Sequence, residues 1–303
     1  MDVSVTLSGF SRLFGNDFAR VLDAARAIDG AGATTLVLAD HVVMGDRVDR
    51  YPFGTFPYGP EEPWPEPLTL LAAIAGVTTE VRLGTGIVIT PLRPAPLLAK
   101  ICATLDQVSG GRLTLGVGPG WQREEYAACG LDFANRWQIF DDGLRACAAL
   151  WTQQPPVSFA SQTTSFGPTW CLPQPVQNSA ISAIPLVYGI PATPVNVTRI
   201  AELGAGWIPI HTTTPDGLRE GVAAIRAGFE NVGRDAASLR VRATGRVQSD
   251  ATGKIDWSAT LDASADLREI GVTEVAVGLG RHCSDTTSIE HFVTRAVACF
   301  AAL

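Results

Sequence analysis

The pair Asp40-His41 closes an apolar run, Thr34 to Ala39, that reads as a strand. An imidazole at a strand end can give or take a proton near neutral pH, and a carboxylate beside it can orient it or meet a cofactor. Three other histidines occur. His211 and His282 follow later strand-like runs, and His291 lies in the last helical run, a structural position. The chain has no H-x-H or H-E-x-x-H spacing and no G-x-S-x-G elbow. A metal-dependent or serine hydrolase is therefore not expected, and no metal is assigned. Lysine occurs only at Lys100 and Lys254 among 23 basic residues. Neither stands at a strand end, which excludes a Schiff-base enzyme.

Two glycine-rich segments could meet a flat or phosphorylated ligand. Arg82 to Pro91 (RLGTGIVITP) is a strand whose Gly86 would let a ring approach the backbone, or which is thinned only by packing. Gly116 to Trp121 (GVGPGW) enters a helix and exposes backbone N–H groups that suit a phosphate. Its spacing is G-x-G-x-G, not the dinucleotide fingerprint G-x-G-x-x-G, so a Rossmann site is not read here. Arg246, Arg281 and His282 at strand ends could meet an anion or form surface pairs.

Alternating elements must position these groups. Strands are expected at 3–8, 34–39, 81–89, 112–117, 184–187, 205–210, 239–247 and 273–277. Helical spacing marks 17–31, 67–78, 96–108, 122–129, 136–151, 195–203, 216–231, 257–270 and 286–300. Eight strand–helix units favour a (β/α)₈ TIM barrel, one domain over 1–303, above a doubly wound sheet.

Two insertions exceed the minimal barrel. Residues 41–66, after the second strand, thread Tyr51, Phe53, Phe56, Tyr58 and Trp64 through five prolines. That loop belongs at the mouth, as a wall over substrate or as aromatics anchoring themselves. The second, 152–183, precedes strand five inside a stretch from Ala146 to Thr198 with no Asp, Glu, Lys, Arg or His. It could pack on a partner subunit or cover a ligand tail.

Composition removes other classes. The 303 residues carry a net charge of −7 with scattered arginines, so no nucleic-acid face is expected. No run approaches the roughly 18 apolar residues of a membrane span. The start MDVSVTLSGF has no signal-peptide character, and six cysteines show no C-x-x-C pair. Reduced buried thiols and a cytoplasmic location are expected.

Together, Asp40-His41, the segment VRLGTGIVITPLR (81–93), Ala103-Thr104-Leu105-Asp106, Ser109-Gly110-Gly111-Arg112 and GVGPGW (116–121) resemble the bacterial-luciferase-like flavin and deazaflavin oxidoreductases. The likeness is densest over 34–145, thinner over 184–240 and absent from the second insertion. It is closest to the branch that uses coenzyme F-420, an 8-hydroxy-5-deazaflavin, with FMN as the alternative cofactor.

The resemblance implies His41 as the catalytic residue, with Asp40 beside it. It implies a non-prolyl cis peptide at or beside Gly86-Ile87, behind the ring. Cofactor contacts are expected from Asp40, Thr85, Gly86, Ile87, Gly118, Gly120, Trp121, Tyr188, Gly189 and Thr193. Tyr188 departs from the Gly-Gly-Ser-like turn of many relatives and would narrow the tail site. Trp121 replaces the catalytic Glu of the sugar-phosphate dehydrogenases, so that substrate is not expected. Substrate contacts are expected from Ser8, Tyr51, Phe53, Trp64, Arg246 and His282. The implied function is hydride transfer between coenzyme F-420 and a small, partly apolar molecule, in a homodimer. Its alternatives are an FMN-dependent two-component monooxygenase and a barrel that only binds a ligand.

Overall fold

The computed structural model describes all residues except 16, 180 and 281. Eight parallel strands close into a barrel: β1 (Asp2–Leu7), β2 (Thr35–Leu38), β3 (Arg82–Thr85), β4 (Leu113–Gly118), β5 (Leu186–Tyr188), β6 (Gly206–Trp207), β7 (Arg240–Thr244) and β8 (Glu274–Gly278). The order is 3-2-1-8-7-6-5-4, and β3 pairs with β4 to complete the ring. The surrounding helices are α1 (Ala19–Gly30), α2 (Pro67–Ala75), α3 (Ala95–Val108), α4 (Arg123–Ala128), α5 (Arg136–Thr152), α6 (Pro194–Leu203), α7 (Pro215–Asn231), α8 (Trp257–Ala263) and α9 (Thr286–Ala301).

Three expected elements differ. The third strand breaks at Gly86-Ile87, a non-prolyl cis peptide, and resumes at Val88–Ile89 against Val117 and Gly118. The run 205–210 pairs only at Gly206–Trp207 before turning along the mouth. The helix expected over 257–270 ends at Ala263 and restarts at Leu267–Ile270. Arg246 explains that break, since its Nη1 donates to the Ala263 carbonyl and to Asp266, both at 2.7 Å.

Alternation along each strand separates two environments. Outward residues such as Val3, Val5, Leu36 and Leu115 pack beneath the helices in one contiguous apolar cluster. The barrel interior is unusually polar below its mouth, where Ser4, Thr35, Thr114 and Arg242 are all buried. Bulky aliphatic residues usually fill this space in such barrels.

The 152–183 insertion forms an antiparallel hairpin, Val157–Ala160 with Ser165–Thr169, followed by an extended strap. The strap runs under the barrel. Asp106, fully buried at the end of α3, accepts from Val176 N at 2.8 Å, Gln177 N at 3.0 Å and Gln177 Nε2 at 2.7 Å. Gln177 also donates to Leu113 O at the start of β4 and accepts from Arg82 at the start of β3. The strap thus closes the N-terminal end and contributes nothing to the cavity at the mouth. The strap lies at the end opposite the larger cavity at the mouth, whereas the hairpin turn at Thr163 and Thr164 stands beside Asp142 of α5 and lines a separate groove with Thr90, Arg93 and Ala95.

All six cysteines are free thiols. Among the described residues, no helix is long and apolar enough to cross a membrane.

Candidate active site

Two adjoining cavities open at the C-terminal end of the strands. The larger, about 570 Å³, is lined by Gly86, Ile87, Gly118, Gly120, Trp121 and Gly189, with Phe53 on its outer wall. The other, about 420 Å³, contains Ser8, His41, Phe56, Tyr58 and Trp64. Tyr51, Trp121 and His211 border both, the Tyr51 ring lying 5.2 Å from Trp121 and stacked 6.0 Å from His211. Burial raises the Tyr51 phenol above its usual range, so it stays a neutral donor.

His41 is buried at the end of β2, and its ring is walled by Trp64 at 4.9 Å, Phe56 at 5.8 Å and Trp121 at 6.1 Å. Its Nδ1 lies 3.3 Å from Oε2 of the fully buried Glu125. The other Glu125 oxygen accepts from Val42 N at 2.6 Å, and Gln122 accepts from Gly45 N at 2.8 Å. The first turn of α4 therefore pins the chain immediately after β2. A carboxylate on Nδ1 selects the tautomer with a proton there and leaves Nε2 as the nitrogen available to the chamber.

Asp40 does a different job from the one expected. Its Oδ2 accepts from Ile89 N at 2.8 Å and Arg93 Nη1 at 2.7 Å, and its Oδ1 from Arg93 Nη2 at 3.0 Å. Asp40 thereby ties β2 to the segment after the cis peptide, while the carboxylate on His41 is Glu125. The sequence signal was the pair Glu124-Glu125 opening the helix that follows β4 after the GVGPGW turn.

The glycines of the larger cavity have a packing reason. A Cβ on Gly118 would lie 2.8 Å from Ile87 Cδ1, and one on Gly189 would lie 2.4 Å from Ile87 Cγ2. Gly120 has φ 72°, a left-handed conformation, and packs on Ile89. Absent side chains on β4 and β5 thus seat the segment 87–89. The resulting cleft, with Arg50 and Arg136 beside its turn, fits a flat ring with an anionic tail.

Several expected contacts lie elsewhere. Tyr188 points outward, its ring 5.7 Å from Phe140 of α5, so it does not narrow a tail site. Burial pushes its phenol up, as an outward core position requires. Thr85 is buried and donates to Gly116 O at 2.7 Å, bracing β3 against β4. Thr193 caps α6 by accepting from Asn196 N, and borders a neighbouring groove with Phe53 and Pro191. Arg246 is occupied at the α8 break, and His282 stacks on Phe292 of α9 at 5.2 Å, away from both cavities. Arg281 lies outside the described residues.

The family profile described as Luciferase-like monooxygenase matches residues 3–270. The chain belongs to the luciferase-like monooxygenase family. It is similar to an uncharacterized protein of Mycobacterium tuberculosis, 31% identical over 239 residues, or 77% of each chain. Among solved structures, monooxygenase RslO1 from Streptomyces bottropensis superposes with TM-score 0.77 at 20% identity, over 100% of this chain and 98% of that one. A secondary alcohol dehydrogenase dependent on coenzyme F-420, in complex with an F-420–acetone adduct, gives 0.74 at 14% identity, over 97% and 98%. Luciferase-like neighbours thus include both monooxygenases and deazaflavin enzymes on this one barrel.

Proposed function

We propose that the chain is an oxidoreductase that uses coenzyme F-420 on a small, partly apolar substrate, with His41 moving the proton. The observation that carries this reading is a buried imidazole, fixed by Glu125, in an aromatic chamber that adjoins a glycine-lined cleft. When bound, a deazaflavin supplies the chemistry of hydride donation or acceptance. The residues that would hold it are Gly86, Ile87, Gly118, Gly120, Trp121 and Gly189, with Arg136 and Arg50 toward the anionic tail.

This chain's own groups do the rest. Glu125 keeps the Nδ1 proton of His41 in place, so Nε2 can exchange a proton with the substrate oxygen. Trp64 Nε1 is buried with no hydrogen-bond partner, and its ring packs on His41. An unpaired donor there is costly unless a ligand acceptor meets it, and a substrate oxygen between Trp64 and His41 would do so. Phe56, Tyr58 and Trp121 exclude water and favour an apolar body on that oxygen, as in a secondary alcohol or a ketone.

The second reading, an FMN-dependent monooxygenase, is supported by the same aromatic enclosure and by structural neighbours named as monooxygenases. Titration of the protein with coenzyme F-420 and with FMN, followed by visible absorbance and fluorescence, separates the two. Micromolar binding of the deazaflavin and oxidation of secondary alcohols are expected. Binding of FMN alone, with oxygen uptake when reduced FMN is supplied, would replace the deazaflavin reading.

A further inference from the structure

Another cavity lies apart from the two around His41. It is the groove of about 310 Å³ between the start of α3, α5 and the hairpin turn of the second insertion. Leu92, Leu98, Leu131 and Ile139 make its walls apolar, and Thr163 and Thr164 border it. Gly143 of α5 also lines it, and a Cβ there would meet nothing within 4 Å. The groove is therefore kept open by a helix residue without a side chain.

Hydrogen-bond donors on this wall lack partners. Thr90 lines the groove and is only 4% exposed, yet its Oγ1 has no hydrogen-bond partner. Beside it α3 begins behind Pro94, and no side chain caps its first turn. Pro96 has no N–H, so the amides of that turn left without an intrahelical acceptor are those of Ala95 and Leu97. A buried hydroxyl left unpaired is costly, and an acceptor brought into the groove removes that cost.

Charge around the groove is already matched. Arg93 is held by both oxygens of Asp40 and by Glu66, so a further anion is not favoured there. Both oxygens of Asp142, beside the hairpin turn, are taken by Gln138 and Thr163. Burial raises the Cys129 thiol above its ordinary range, which keeps that side of the wall uncharged as well. What the wall lacks is an acceptor without a charge.

We propose that this groove is a second small-molecule site, for an uncharged, mostly apolar ligand that carries a carbonyl oxygen: a ketone, an ester or a tertiary amide. The oxygen meets Thr90 and the N–H groups that open α3, and the apolar body lies on Leu98, Leu131 and Ile139. Among the described residues the wall holds no histidine, aspartate or glutamate, so the site binds without transferring a proton. It shares no lining residue with either cavity around His41 and stands independently of the cofactor reading.

The probe is N,N-dimethylhexanamide, with hexanoate as its charged counterpart, followed through the backbone amide shifts of the isotope-labelled full chain. Saturable shifts are expected at Thr90, Ala95 and Leu97, with a dissociation constant of about 1 mM or below. Hexanoate should bind about tenfold more weakly, since its charge is desolvated without a partner. Gly143→Leu fills the groove from α5 and should weaken the amide by about tenfold or more. Thr90→Val keeps the shape, removes the hydroxyl and should weaken it about fivefold. The ligand-free Thr90→Val chain should be no less stable than wild type in chemical denaturation, because the hydroxyl has no partner to lose. Absence of saturable shifts at these amides, or shifts confined to residues around His41, overturns the site. So does undiminished binding in folded Gly143→Leu. Hexanoate binding as tightly as the amide overturns the ligand class, and a destabilised Thr90→Val chain overturns the role of the hydroxyl.

Discussion

The two insertions, 41–66 and 152–183, look alike as sequence: both are rich in proline, carry aromatics and exceed what a minimal barrel needs. In the fold they take different places. The first follows β2 and supplies Tyr51, Phe56, Tyr58 and Trp64 to the walls around His41. The second follows α5, packs its hairpin against that helix, and sends its strap beneath the barrel to spend polar groups on Asp106, Arg82 and Leu113. What separates them is not composition but the element that precedes each. A strand delivers its loop to the mouth, and a helix delivers its loop to the opposite face. Chemistry should therefore respond to changes in the first region, and stability to changes in the second.

The largest expected effect is His41→Gln, which keeps a polar group of similar size but no titrating nitrogen. Steady-state turnover should fall by about 10²–10⁴-fold, while the denaturation midpoint stays close to wild type. A collapse of stability with little loss of activity would reverse the contrast between the regions. Next is Asp106→Ala on the other face. It strands three N–H donors of the strap beneath buried structure and should cost about 3–5 kcal/mol in chemical denaturation. Cofactor affinity, measured on the folded protein, should remain within about threefold of wild type.

The barrel, its strand count and the Asp40-His41 position were legible because periodicity reports burial, and burial repeats eight times. The partners of those residues were not. Asp40 was expected to serve His41 because the two are adjacent, yet consecutive residues at a strand end point different ways. Asp40 turns to Arg93, and His41 meets Glu125 from 84 positions further along. Tyr188 failed for the same reason. A one-residue change of phase decides between the cavity and the helix layer, and the pairing of Tyr188 with Val117 and Trp207 puts it outward. Arg242 escaped notice because an arginine on a strand reads as an edge or surface residue until ring closure puts it on the axis.

A smaller effect compares the same substitution in two places. Gly189→Ala puts a methyl 2.4 Å from Ile87 Cγ2 under the cofactor cleft, whereas Gly143→Ala on α5 meets nothing within 4 Å. The first should destabilise by about 1–3 kcal/mol through overpacking and weaken cofactor binding severalfold by displacing Ile87. The second should be neutral or stabilise by up to about 1 kcal/mol, since alanine suits a helix interior better than glycine. Equal effects at the two sites in thermal denaturation and cofactor titration would show that Ile87 does not depend on the bare backbone beside it.

The smallest effect concerns how the hairpin of the second insertion is tethered. Burial raises the carboxyl of Asp142, but hydrogen bonds from Thr163 and Gln138 outweigh it and hold the group below the usual carboxylate range. A folded-state pKa below the unfolded one means that the tether stabilises above the ordinary carboxylate range and is lost as pH falls through the lowered value. Hydrogen exchange at Thr163 and Thr164 should therefore accelerate on acidification, before the barrel itself unfolds. Asp142→Asn should cost about 1 kcal/mol at neutral pH and flatten that acid dependence. Cofactor affinity should follow neither change, because the hairpin hangs from α5 and the ring's cleft is built from β3, β4 and β5. An acid-induced loss of cofactor that tracks the hairpin's exchange would instead couple the two faces of the barrel.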